Sequence, residues 1–138
     1  MMRQINKELI YSLYQQASKS DRKRSHYLLH SSHQDKVQRL LIALVKGSYV
    51  EPHFHELEHQ WEMFTVIEGC VEICIYDAQG GVIKKITAGE GAESAIIEFN
   101  PYDIHSLKCV SDRALILEVK EGPFLIEYAK AYPSWSNV

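Results

Sequence analysis

From Leu40 onward the chain is cut into short apolar runs separated by turn-forming residues, and this punctuation limits the fold more than any other feature. Leu40 to Val45 is continuously apolar. Glu62 to Ile67, Val71 to Tyr76, Val82 to Thr87, Ala95 to Phe99, His105 to Val110 and Ala114 to Val119 follow it. Between them stand Glu68-Gly69, Asp77-Ala78-Gln79-Gly80-Gly81, Ala88-Gly89-Glu90-Gly91, Asn100-Pro101-Tyr102-Asp103 and Ser111-Asp112, all rich in residues that favour turns. Seven or eight such runs, roughly 8–12 residues apart, are the pattern of an all-β sandwich or barrel. The unbroken run from Leu40 to Val45 suits a strand buried on both faces.

Ahead of the strands, Ile5, Leu9, Leu13 and Ala17 recur every four residues, and Ile10 and Tyr14 widen the stripe. That spacing predicts an amphipathic helix. It should end near Ser18 to Asp21, where polar side chains compete with backbone bonding. A polar connector from Arg22 to His33 follows. The expected organisation is therefore a helix and connector over 1–35 and a β-barrel domain over 36–138. The aromatic tail from Phe124 to Val138 is expected to fold back on the barrel or onto a partner subunit.

With 138 residues, 46% hydrophobic and 24% charged, the chain is expected to form one domain, and disorder, coiled coil and collagen-like structure are excluded. A net charge of −3 argues against a broad nucleic-acid surface. No apolar run approaches the ~18 residues of a membrane span. The N-terminal MMRQINKELI lacks the apolar core of a secretory signal. A cytoplasmic protein with reduced thiols is expected, and the odd count of Cys70, Cys74 and Cys109 agrees. Cys70 and Cys74 share a strand face about 13 Å apart, too far to chelate one ion, and read as buried structural thiols.

The chemistry should lie with the histidines. In an extended chain His53 and His55 project to one face, about 7 Å apart at Cα. Glu62 begins the next strand with Phe64 on its face, and His105 begins a strand much later. Three neutral imidazoles and a carboxylate can bind a divalent first-row transition metal and leave positions for water or substrate. Cys109 shares parity with His105 and Leu107 and aims inward, toward either the metal or the packed core. Arg22, Lys23, Arg24, His26, His30 and His33 form either a phosphate- or carboxylate-binding surface or a solvated linker.

Gly47-Ser48-Tyr49-Val50-Glu51-Pro52-His53-Phe54-His55, followed by Glu62 and Gly69, resembles the first motif of the cupin family, G-x5-H-x-H-x3,4-E-x6-G. The gap between His55 and Glu62 is six residues rather than three or four, so Glu58 or His59 could complete the ligand set instead of Glu62. The second cupin motif, G-x5-P-x-G-x2-H-x3-N, is matched at His105, with Tyr102 in place of its glycine and Cys109 in place of its asparagine. Asn100 to Asp103 suits a type I turn, which needs no positive φ. Lys36 to Leu44, Pro52-His53 and Trp61-Glu62-Met63-Phe64, with the helix and the arginine/histidine connector, resemble the WbuC-type cupin metalloproteins more closely.

The resemblance implies a single cupin barrel (a double-stranded β-helix or jelly roll) with an N-terminal helix. It also implies one divalent ion (Fe, Mn, Ni, Cu or Zn) on His53, His55, Glu62 and His105. It implies a ligand-pocket role for Arg24 and His26, and strand parity adds Phe64 and Cys109 as substrate-binding positions. That family is associated with gene clusters for O-antigen and other surface polysaccharides. The implied role is Lewis-acid isomerase or epimerase chemistry on a sugar or nucleotide-sugar precursor, with Glu62 or His59 as base. An iron(II) oxygenase and a non-catalytic sugar-binding barrel are the alternatives. The expected partners are a small-molecule ligand and a second copy of the chain, with no nucleic acid.

Overall fold

The computed structural model describes residues 1–137. Helix α1 spans Lys7–Lys19 and is followed by nine strands among the described residues. These are β1 (Arg24–Leu28), β2 (Val37–Val45), β3 (Tyr49–His53), β4 (Glu62–Glu68), β5 (Cys70–Tyr76), β6 (Val82–Gly89), β7 (Ile96–Phe99), β8 (Ile104–Cys109) and β9 (Arg113–Glu121). All strand pairs are antiparallel. They form a five-stranded sheet in the order β1-β2-β9-β4-β7 and a four-stranded sheet in the order β3-β8-β5-β6.

The two sheets enclose one core. Leu44, Phe64, Val66, Val71, Ile73, Leu107, Ala114 and Ile116 meet between them, as alternation along each strand requires. The larger sheet is covered on its other face by α1. Leu13, Tyr14 and Ala17 pack there against Leu41, Ala43 and Leu115. This explains the unbroken apolar run in β2: Leu40, Ile42 and Leu44 look into the barrel, while Leu41 and Ala43 meet the helix.

Local chemistry sets the helix ends. The Asn6 side chain accepts from Leu9 N at 2.9 Å, and the chain turns extended at Ser20, so one orphan donor is satisfied at the start. Ser25 Oγ donates to Leu13 O at 2.6 Å and Tyr14 Oη to Glu68 Oε1 at 2.7 Å, tying the helix to the sheet. Burial, then the Glu68 carboxylate, push the Tyr14 phenol well above its ordinary value. Gly69, which follows β4, has φ +70, and a Cβ there would stand 2.0 Å from Arg113 O. Both the conformation and the close approach require glycine.

Two expectations need correction. Residues 24–28, expected within a polar connector, form edge strand β1, in register with Leu44 to Leu40 of β2. Cys70 and Cys74 are free and half-buried rather than buried; the Cys70 thiol is near enough to donate to Glu90 O at 2.8 Å. The aromatic tail does fold back on the barrel. Phe54 and Ala131 exchange two backbone hydrogen bonds of 2.9 Å, and Trp135 Nε1 donates to Ala78 O at 3.0 Å.

Because Leu13 is 1% exposed and Tyr11 58% exposed, truncating each to alanine separates packing from helix propensity. Leu13→Ala should lower unfolding free energy by about 2–5 kcal/mol, and Tyr11→Ala by about 0.5 kcal/mol or less. Urea denaturation followed by circular dichroism measures both.

Candidate metal centre

Strand register brings the ligand candidates to one end of the barrel interior. His53 of β3 lies opposite His105 of β8. Glu62 opens β4, between Phe99 of β7 and Lys120 of β9. A register shift in β3 between Val50 and His53 lets both residues line the cavity although their separation is odd, the usual effect of a β-bulge. His55 follows two residues later, just past the Phe54–Ala131 bridge.

One donor atom from each of His53, His55, Glu62 and His105 lies within 4.8 Å of the other three. The His53 and His105 rings are fixed by their far nitrogens. Nδ1 of each donates at 2.8 Å to a backbone carbonyl two residues back, Glu51 O and Asp103 O. A carbonyl accepts only, so Nδ1 carries the hydrogen and Nε2 is left with its lone pair. His105 is also stacked on Phe99, with ring centroids 3.8 Å apart at 10°.

His55 Nε2 and His105 Nε2 lie 2.8 and 3.6 Å from Glu62 Oε1. The separations alone would suggest ion pairs, but neither contact forms a hydrogen bond. All three atoms are buried and make no hydrogen bond. Unpaired buried polar atoms are rare and need a reason. Three of them converging from two imidazoles and a carboxylate fit a divalent cation, because each offers a lone pair. Burial first, and then any positive charge taken up by the neighbouring His105, lowers the His53 pKa to about 3, so this imidazole is neutral and able to donate at pH 7. Burial alone would raise the Glu62 carboxyl; with no metal bound, protonation of the adjacent His105 and His55 imidazoles outweighs it and holds Glu62 well below the carboxylate range.

The donor set opens on a cavity of about 350 Å³. Its wall is apolar at Leu28, Leu40, Ile42 and Phe64, and cationic at Arg22, Arg24, Lys120 and Lys130. Arg24, His26 and Phe64, expected to bind substrate, all line it. Cys109 does not. It is 1% exposed within the core between the sheets, with its thiol 3.4 Å from Ser111 O, because its inward parity falls two turns of the strand alternation beyond His105. His59 lies on the loop outside the cavity, with Nε2 3.4 Å from Pro123 O, and is not part of the donor set. Tyr49 is 47% exposed and lines a separate outer depression.

The turn before His105 also differs from expectation. Asp103 N donates to Asn100 O at 3.1 Å, closing the turn, but Tyr102 has φ +70. That is the third position of a type II turn, the conformation a glycine would adopt more readily. Tyr102 is held there by its amide donating to His55 O at 2.9 Å and by its ring stacking on Phe54 at 5.7 Å.

Several cavity residues were not anticipated. Glu118 is 5% exposed with Oε2 3.3 Å from Lys120 Nζ. Burial, then the Glu62 carboxylate, raise its pKa. Both residues continue the inward parity of Ala114 and Ile116, a signal that was available in the sequence. Gln38, on the inward parity of Leu40, donates from Nε2 to the carbonyls of Ser32, His33 and Asp35. Phe124 and Lys130 arrive from the tail, and no local pattern announces them.

Solved structures share this fold. A cupin superfamily protein from Desulfitobacterium hafniense superposes with a TM-score of 0.54 at 17% identity, over 71% of this chain and 76% of the other. The capsular polysaccharide assembling protein CapF from Staphylococcus aureus reaches 0.66 at 16% identity, over 82% of this chain and 32% of its own. A variant of Bacillus subtilis oxalate decarboxylase gives 0.54 at 20% identity, over 70% of this chain and 24% of its own. This chain thus spans about a third or less of the last two. The protein has the cupin fold, a single β-barrel with an N-terminal helix, and a His/Glu cluster able to hold a metal ion. Residues 5–88 match the family described as a domain of unknown function (DUF6016), and the chain belongs to that family. No relative was found among curated proteins.

His26 faces the cavity, and its pKa is lowered to about 4, first by burial and then by Arg24, Arg22, Lys130 and Lys120. An unfolded chain would protonate it near the ordinary value of about 6.5. Between those limits the unfolded state binds more protons, so stability falls as pH drops from about 6.5 toward 4. The His26 imidazole should titrate near 4 by NMR, and His26→Gln should remove part of the acid-induced loss of stability in that window.

Proposed function

We propose that this protein is a metal-dependent cupin acting on a small polar molecule, with a sugar or nucleotide-sugar precursor of a surface polysaccharide as the substrate class. The observation that carries the reading is the set of orphaned buried donors at the floor of a cavity that is apolar on its wall and cationic on its rim. The resemblance to WbuC-type proteins supports the choice of substrate, as does the likeness in fold to a protein of capsular polysaccharide assembly.

His53, His55, Glu62 and His105 would hold one divalent ion, which supplies Lewis acidity toward a carbonyl or hydroxyl oxygen. The chain does the rest. Asp103 O and Glu51 O fix two imidazoles in the donating tautomer, and Phe99 fixes the plane of His105. Phe64 and Ile42 line the cavity with apolar surface. With Glu62 in the donor set and His59 outside the cavity, Glu118 is the carboxyl left to take or return a proton at a substrate carbon. Isomerase or epimerase chemistry uses such a group. The protein is read as cytoplasmic and homodimeric.

Mass spectrometry of the purified protein should find about one transition-metal ion per chain, and little in a His53→Ala/His55→Ala variant. An empty wild type after reconstitution would sink the metal reading. If the loaded protein turns over none of a panel of nucleotide sugars, the isomerase reading fails; substrate-dependent oxygen uptake by the iron form would favour an oxygenase.

A further inference from the structure

Three cations stand where the inner cavity adjoins a depression on the outside of the barrel. Arg22, Arg24 and Lys130 line both spaces, the inner of about 350 Å³ and the outer of about 380 Å³. None of the three forms an ion pair among the described residues. The polar contact of Arg24 is a long hydrogen bond from Nη1 to Tyr49 O at 3.3 Å. Of the nearby acids, Glu118 pairs with Lys120 and Glu62 faces the imidazoles. Glu51 lines the outer depression but lies beyond ion-pair distance of all three cations.

The cations feel one another. Burial lowers Arg24, and Arg22 lowers it further; burial lowers Lys130, followed by Arg24 and Arg22. Like charges held together without a counter-charge oppose folding by Coulomb repulsion, yet the scaffold holds them there. Arg24 sits on β1, in register with Leu44. Lys130 is adjacent to Ala131, whose two hydrogen bonds to Phe54 anchor the tail. The three cations are thus held beside one another with no counter-charge among the described residues.

We propose that Arg22, Arg24 and Lys130 bind a phosphoryl group of the ligand, whose reacting part reaches inward to the His/Glu donor set. Three positive charges exceed what one carboxylate neutralises, and guanidinium forks match phosphate oxygens. The shared position leaves room for a substituent on either side of the phosphorus, inward or toward Tyr49 and Tyr132. The ligand is thus a phosphorylated small molecule rather than a neutral sugar. The inference rests on the proposed reading only in taking the cavity as the ligand site.

The test is isothermal titration calorimetry of the full chain with inorganic pyrophosphate, with metal content measured on every sample. Wild type should bind. Lys130→Ala and Arg24→Ala should each weaken binding about tenfold or more, as expected for a lost charge-assisted contact, with metal content unchanged. Lys7→Ala, on the exposed side of α1, should bind as wild type does. Pyrophosphate should still bind the His53→Ala/His55→Ala variant, which separates this site from the metal. Failure of the metal reading would leave that result intact. The proposal is overturned if folded wild type does not bind, if binding follows metal content rather than rim charge, or if malonate binds as tightly as pyrophosphate. Lys130 lies in the tail and outside every strand, so its variant remains informative should Arg24→Ala fail to fold.

Discussion

Three buried polar atoms without hydrogen-bond partners, His55 Nε2, His105 Nε2 and Glu62 Oε1, set the terms for the rest of this barrel. Each such atom costs about 1–3 kcal/mol, a large share of the 5–15 kcal/mol by which a domain is stable. The chain carries that burden because it has two apolar clusters. One fills the barrel, and the other lies between α1 and the outer face of the five-stranded sheet. The second cluster contributes nothing to the cavity lining. Its role is to stabilise β2 and β9 from behind, so that the residues facing inward can be polar at one end.

Strand β9 connects these demands. It lies between β2 and β4 and alternates between the two clusters, with Ala114 and Ile116 inward and Leu115 and Leu117 toward the helix. At its far end the same inward parity delivers Glu118 and Lys120 to the cavity. One strand therefore grades from core to site without changing direction. The same grading runs along β8 in reverse, from Cys109 in the core to His105 at the donor set. Parity told which face Cys109 occupies but not how far along the barrel the cavity ends, so the expectation that it lines the pocket placed it on the correct side at the wrong depth.

What could be read from the sequence follows the same division. The helix, the strand series and the histidines His53, His55 and His105 depend on local period and spacing, and they were visible; the six-residue gap before Glu62 left the fourth ligand open among Glu62, Glu58 and His59. The edge strand at Arg24–Leu28 was not, because a strand facing a solvated cavity on one side carries arginine and histidine where a core strand carries valine. The turn at Asn100–Asp103 looked like type I because Tyr102 disfavours positive φ. Contacts distant in sequence override that preference: the Tyr102 amide donates to His55 O and its ring lies on Phe54. Lys130 was invisible for a related reason, since its place depends on a backbone bridge between Ala131 and Phe54, 77 positions apart.

That bridge also joins the two halves of the site. Phe54 lies between His53 and His55, so its amide belongs to the peptide shared with His53 and its carbonyl to the peptide shared with His55. The tail uses both of them. Tyr102 approaches the same segment from the β7–β8 turn and bonds the carbonyl of His55. The ligand-bearing loop is thus clamped by the segment that carries Lys130 and by the turn that leads to His105. Any displacement of the tail moves a rim cation and the spacing of two imidazoles together. Preorganisation of a donor set depends on such supporting contacts as much as on the donors themselves, and here the support is backbone hydrogen bonding, which does not depend on which side chains stand at Ala131 or Phe54.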